Sequence, residues 1–165
     1  GTVEDTLLET WRQCHAVNLD GTFLGCRTAL PLMRETVTRE GARGSILNLS
    51  SIAGVVAGAN MAAYNSAKAA VRHLTKSVAL HCAQASGRIT CNSLHPAFID
   101  TPILDNFARD GVSREALLAK LGRQIPLGTV GEPDDVAHAA VYLCSDEAKF
   151  VTGAELWIDG GISAR

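Results

Sequence analysis

The sequence predicts a doubly wound α/β domain with a parallel sheet. Two apolar runs indicate neighbouring strands. Residues 45–50 form an apolar run typical of a strand buried on both faces, and residues 88–95 alternate up to Pro96. A helix-forming stretch from Met61 to about Ala83 separates them. Strand, helix and strand in this order predict a right-handed βαβ unit with parallel strands.

Composition describes a soluble globular protein of one domain. The 165 residues are 47% hydrophobic and 19% charged, with a formal net charge of −2. Neither a basic patch nor a run of like charges occurs, which argues against nucleic acid or an anionic membrane as partner. No apolar stretch reaches the roughly 18 residues of a membrane-spanning helix. The five cysteines are dispersed, so we expect a cytoplasmic protein without disulfides.

The N-terminal part shows the apolar spacing of a helix over residues 6–33. Pro31 falls late in the pattern, where we expect the helix to end or kink. Residues 34–44 are polar and predict a surface connection. Asn18 stands in the middle of the helical pattern, where Asn is unfavourable unless its side chain has a specific partner. Either Asn18 satisfies a local kink or it serves a functional site.

The centre of the chain carries a candidate catalytic group. Tyr64 and Lys68 are four residues apart and share one helix face. Asn60 is a suitable N-cap, which places Tyr64 in the first turn. Because a nearby cation and a helix N-terminus both favour phenolate, we expect them to lower the pKa of Tyr64 from about 10. Ser51 follows the first strand, at the sheet edge where ligands bind in such folds.

The remainder predicts two short helices, a longer helix and a last strand. Residues 103–124 show two short helical patterns around Asp110 and Gly111. Pro133 begins a helix with acidic residues in its first turn, and residues 155–159 form the last strand. We expect four basic side chains of residues 103–124 to be solvated surface groups: Arg109, Arg114, Lys120 and Arg123.

Other kinds of site are not indicated. None of the five histidines stands in a His-Glu-x-x-His motif or at zinc-site spacing with cysteine, so no metal site is predicted. His73 and His81 are expected on helix surfaces. A hydrolase built on Ser51 would need a Gly-x-Ser-x-Gly elbow, which the sequence lacks.

Together these motifs resemble the short-chain dehydrogenase/reductase family, whose sheet is Rossmann-like. The resemblance covers essentially the whole chain and includes the C-terminal run from Gly131 to Gly161. It implies that Tyr64 exchanges the substrate proton, that Lys68 lowers its pKa and bonds the cofactor ribose, and that Ser51 holds the substrate oxygen. In the segment Val17-Asn18-Leu19-Asp20-Gly21, Asn18 resembles the residue that holds a water beside the lysine.

The loop after the second strand resembles the family segment that contacts the nicotinamide. The resemblance implies cofactor contacts from Pro96, from the backbone of Ile99 and from the Thr101 hydroxyl, in addition to Tyr64 and Lys68. Ala97 stands where the family usually has glycine. Residues 103–124 correspond to the family's substrate lid.

The implied reaction is hydride transfer between NAD or NADP and a secondary alcohol or ketone. Cyclic alcohols and hydroxysteroids are the expected small-molecule substrates, and a homodimer or homotetramer is the expected assembly. Two alternatives stay open: a 3-oxoacyl carrier-protein reductase, and a non-catalytic oligomerisation or regulatory fragment.

The second alternative arises because no glycine-rich phosphate loop occurs in the sequence. The resemblance implies that the chain is the C-terminal two-thirds of a family domain and supplies the C-terminal half of its sheet, with the N-terminal cofactor half absent. The other two strands should then lie on the same side of the strand at residues 45–51. Its opposite edge should be unpaired and prone to aggregation.

Overall fold

The computed structural model describes residues 1–108 and 111–164 and contains a parallel sheet of three strands in the order β1-β2-β3. The strands are β1 (Gly44–Leu49), β2 (Ile89–Pro96) and β3 (Glu155–Ile158). Both β2 and β3 lie on the same side of β1, as predicted. The central strand β2 is buried at every residue from Ile89 to His95 because it has a neighbour on each edge and helices on each face.

Helices cover both faces of the sheet, which makes the domain doubly wound. Helix α2 (Gly21–Glu40) and helix α3 (Ala62–Ala85) enclose one apolar cluster against the sheet. Helix α5 (Pro133–Cys144) encloses a second cluster around Leu94 and Leu143. Its first turn is stabilised by the predicted proline and by a capping box between Glu132 and Asp135.

The N-terminal helical region is longer than the sequence predicted. Helix α1 (Leu8–His15) passes through a π-helical turn (Ala16–Asp20) into α2, which runs through Pro31 and ends at the left-handed Gly41. The expected end near Pro31 is therefore wrong, and so is the expected surface connection over residues 34–40, whereas residues 41–43 connect the helix to β1 as predicted. Continuing the helix buries Val37, and that burial offsets the backbone hydrogen bond lost at proline.

Helix α3 begins one residue later than expected, and its N-cap position is Met61 instead of Asn60. No side chain caps it, since the Ala62 N–H group donates to the Gly1 carbonyl at 3.2 Å. Tyr64 lies in the first turn, as predicted.

The lid region folds as a 3-10 turn (Pro102–Phe107) followed by helix α4 (Arg114–Gly122). A small hydrophobic cluster, separate from the two that pack on the sheet, joins the turn to α4 and consists of Leu104, Leu117 and Leu121. Asp110, around which the two patterns were predicted, lies outside the described residues. Within the part of the chain that the structure describes, no helix combines the length and apolarity that crossing a membrane requires.

Candidate active site

Three of the predicted catalytic residues lie at the carboxyl end of β1. Ser51 follows this strand, is buried, and accepts a hydrogen bond from the Ala53 N–H group at 3.2 Å. A side-chain hydrogen bond links Ser51 to Tyr64. The Lys68 ammonium lies 5.7 Å from the centroid of the Tyr64 ring. Hydroxyl, phenol and ammonium groups therefore share the edge of the sheet at which α/β folds bind ligands.

Contacts to the backbone fix α3 against the strand end. The Ser50 hydroxyl donates to the Lys68 carbonyl at 2.9 Å, and the Lys68 ammonium donates to the Leu49 carbonyl at 2.9 Å. A Cβ atom on Gly54 would stand 3.0 Å from the Lys68 carbonyl carbon and oxygen. The turn after Ser51 thus approaches α3 so closely that a side chain at Gly54 would require the backbone of α3 to shift by a few tenths of an ångström.

The protonation of Tyr64 differs from the sequence-based expectation. Burial raises the pKa of Tyr64 above its ordinary value, and the hydrogen bond with Ser51 opposes this only in part. Burial also lowers the pKa of Lys68. The expectation of a depressed phenol pKa is therefore wrong for this structure, because desolvation by burial outweighs the hydrogen bond with Ser51. Tyr64 carries its proton at neutral pH.

Asn18 lies in the π-helical turn, a distortion that often marks functional sites. Its amide donates to the Cys14 carbonyl at 2.9 Å and contacts the Cys14 sulfur at 3.7 Å. Cys14 is near enough that a thiolate there would raise the pKa values of Tyr64 and Lys68. Of the two roles that the sequence allows for Asn18, the structure shows the first, a side chain bonded within a local distortion of the helix. The second role, holding a water beside Lys68, stays a prediction. No sequence signal pointed to Cys14.

The loop after β2 places the predicted cofactor contacts beside this edge. Pro96 ends β2, and Ile99 forms an isolated bridge with Gly131. The Thr101 hydroxyl donates to the Ile99 carbonyl at 3.3 Å, so it supports that backbone directly. No described residue other than glycine has a positive φ. Ala97 therefore occupies the family's glycine position without backbone strain.

Arg114 is exposed, as predicted, and it also connects the lid to this loop. Its guanidinium donates to Asp100 at 2.5 Å, to the Thr101 carbonyl at 3.1 Å, and to Asp105. Arg114 and Asp100 are 14 residues apart in the sequence, so the three- and four-residue spacing of a helix gave no signal for this pair. Of the other basic residues in the region, Lys120 and Arg123 are exposed as predicted and Arg109 lies outside the described residues.

Within residues 1–108 and 111–164, no three histidine, cysteine, aspartate or glutamate side chains are grouped so that they could hold a metal ion. His73 and His81 are exposed on α3, as predicted. All five cysteines carry free thiols.

Known proteins resemble this chain over its whole length. A family model described as enoyl-(acyl carrier protein) reductase matches residues 1–163. An NADP-dependent (R)-specific alcohol dehydrogenase of Lentilactobacillus kefiri is 42% identical, covering 99% of this chain and 62% of the relative. A 3-alpha-(or 20-beta)-hydroxysteroid dehydrogenase of Mycobacterium tuberculosis is 40% identical, covering 99% of this chain and 56% of the relative.

A solved structure matches closely as well. The ligand-free aldohexose dehydrogenase of Thermoplasma acidophilum superposes with a TM-score of 0.88 at 34% identity. That match covers 100% of this chain and 64% of the solved one. The chain thus spans less than two-thirds of the length of the relatives it matches.

Proposed function

The chain belongs to the short-chain dehydrogenase/reductase family, and we propose that the protein is an oxidoreductase transferring a hydride between NAD or NADP and a secondary alcohol or ketone. The observation that carries this proposal is the grouping of Ser51, Tyr64 and Lys68 at one sheet edge. The relatives named as alcohol and hydroxysteroid dehydrogenases support it.

In the direction of ketone reduction, the Tyr64 hydroxyl donates its proton to the substrate oxygen while the Ser51 hydroxyl holds that oxygen by a hydrogen bond. Because burial raises the pKa of Tyr64, the phenol is ready as an acid at neutral pH. Alcohol oxidation needs the ionised phenol, so its rate rises with pH. When bound, the nicotinamide cofactor supplies or accepts the hydride at the reacting carbon.

The donor groups at this edge fit such a cofactor. An ammonium carries three N–H donors, and the Leu49 carbonyl takes one from Lys68. The remaining donors suit the hydroxyls of a ribose. On the facing loop, the backbone of Ile99 and the hydroxyl of Thr101 offer polar groups of the kind that a carboxamide pairs with, and Pro96 borders them. Asn18 would keep a water beside Lys68, through which the proton of Tyr64 is exchanged with solvent.

The lid favours an apolar substrate. Ile103 and Phe107 are exposed beside the loop, and Phe98 packs edge-to-face on Phe107 with centroids 6.0 Å apart. Cyclic alcohols and hydroxysteroids match that surface.

The description of the matched family favours a carrier-protein reductase as the second candidate, but the Arg114 guanidinium is already paired with two carboxylates. We also propose a cytoplasmic homodimer or homotetramer.

The test replaces Tyr64 by Phe in the natural protein that contains this chain. Removing the acid should lower kcat for cyclohexanol or a hydroxysteroid by about 10²–10⁴-fold with either cofactor. Tyr142→Phe, which changes the other tyrosine of residues 1–165, is the matched control and should keep full activity. Activity of Tyr64→Phe within a few-fold of wild type would refute the assignment. A parallel assay with a 3-oxoacyl thioester distinguishes the second candidate.

A further inference from the structure

His95 is a buried histidine directly behind Ser51. It precedes the last residue of β2 and has no exposed surface. Its Nδ1 atom lies 3.3 Å from the Ser51 carbonyl oxygen and its Nε2 atom 2.9 Å from the Ser93 hydroxyl oxygen. The ring stacks on Trp157 of β3 with centroids 4.2 Å apart. Both ring nitrogens are therefore held, and one of them is held by the backbone of Ser51.

These contacts determine the tautomer. A carbonyl oxygen only accepts hydrogen bonds, so Nδ1 must carry a proton to bond the Ser51 carbonyl. In a neutral ring Nε2 then accepts from the Ser93 hydroxyl. That hydroxyl has a second acceptor within reach, the Ala154 carbonyl at 3.5 Å, but the shorter contact is to His95. The ring is a fixed donor aimed at Ser51.

The surroundings keep this ring neutral. Burial lowers the pKa of His95, while the bond to Ser51 and the charge of Glu155 on β3 oppose that effect. Arg72 and Lys76 face it from α3 and lower the pKa further.

We propose that His95 is a positioning residue, whose Nδ1–H group holds the Ser51 carbonyl and thereby fixes the direction of the Ser51 hydroxyl. The Ser51 carbonyl has two acceptor sites: the Gly54 N–H group takes one at 3.0 Å and His95 takes the other. With both acceptor sites of the Ser51 carbonyl occupied, the peptide plane after Ser51 cannot rotate. The Cβ atom of Ser51 therefore keeps one orientation toward Tyr64. This inference rests on the proposed function, in which the Ser51 hydroxyl holds the substrate oxygen.

The test compares His95→Phe and His95→Asn in the natural protein, with NAD or NADP and a secondary alcohol. Phenylalanine keeps a ring against Trp157 but has no donor, and kcat should fall about tenfold or more, because small misplacements of a reacting group are costly. Asparagine puts its amide N–H near the position of Nδ1 and should restore kcat to within about threefold of wild type. His81→Asn, at an exposed histidine of α3, is the control and should change nothing.

A double-mutant cycle with Ser51→Ala separates positioning from packing. If His95 acts through the Ser51 hydroxyl, His95→Phe should cost little further kcat once that hydroxyl is gone. Equal losses in both backgrounds, or no rescue by asparagine, would overturn the inference while leaving the proposed function intact. If Ser51→Ala itself keeps full activity, the proposed function fails and this inference fails with it.

A readout independent of activity covers the case in which His95→Phe does not fold. The ¹⁵N NMR spectrum of histidine-labelled protein reports which ring nitrogen carries the proton. We expect His95 to be neutral at pH 7 with its proton on Nδ1. A charged ring, or a proton on Nε2, would contradict the proposal.

Discussion

Replacing Glu155 by Gln is expected to destabilise the fold by about 2 kcal/mol. The Glu155 carboxylate at the start of β3 meets Arg72 Nε at 2.8 Å and Lys76 Nζ at 2.6 Å, and its side chain is only 13% exposed. The buried Oε1 atom has no well-aligned hydrogen bond, so both contacts are ion pairs. The two cations are 36% and 41% exposed, and solvent screening limits each pair to about 1 kcal/mol. The sum corresponds to about 4–8 °C in Tm.

The pH dependence of this effect has a definite sign. Burial raises the pKa of Glu155, but Lys76 and Arg72 outweigh it and hold that pKa below the ordinary value. The carboxylate therefore adds stability above its unfolded-state pKa of about 4.3, and that stability is lost as the pH falls through the lower folded-state pKa.

Urea unfolding of the natural protein that contains this chain, as wild type and as variant, from pH 7 to pH 3 measures both quantities. The difference in unfolding free energy should be largest at pH 7 and should shrink toward pH 3. Glu35→Gln, at an exposed position of α2, is the control and should stay within about 0.5 kcal/mol of wild type. A Glu155→Gln difference below about 0.5 kcal/mol, or one that is independent of pH, would refute the reasoning.

Two further predictions concern the site and the sheet. Because burial raises the pKa of Tyr64, its phenol should ionise at a pH above about 10. The difference in absorbance between wild type and Tyr64→Phe isolates the ionisation of this phenol. A titration midpoint below about pH 10 would contradict the prediction. Residues 1–165 expressed alone are expected to aggregate and to bind no nicotinamide cofactor, because among the described residues β1 pairs only with β2. A monodisperse sample in size-exclusion chromatography that binds NAD(H) in calorimetry would show otherwise.

The sheet and the site were predictable from the sequence to different degrees. Local patterns placed the strands within a residue or two, because apolar runs and turn residues are short-range signals. Pro31 misled the helix boundary, since the burial of Val37 is a tertiary effect that propensity does not include. At the site, the spacing of Tyr64 and Lys68 predicted that their side chains lie together, but the direction of the shift in the phenol pKa depended on burial. Neither Arg114 nor His95 has its partners nearby in sequence.

The π-helical turn at Ala16–Asp20 has a consequence for deletions. Such a turn holds one residue more than an α-helix needs, and the flanking helices keep their faces with or without it. Val17 is 64% exposed, so its removal would let α1 and α2 join as one regular helix with little loss of packing. Asn18 would then stand three residues from Cys14 instead of four, and its amide would leave the Cys14 carbonyl. The fold would tolerate the shorter helix, whereas the contact between Asn18 and Cys14 depends on the extra residue.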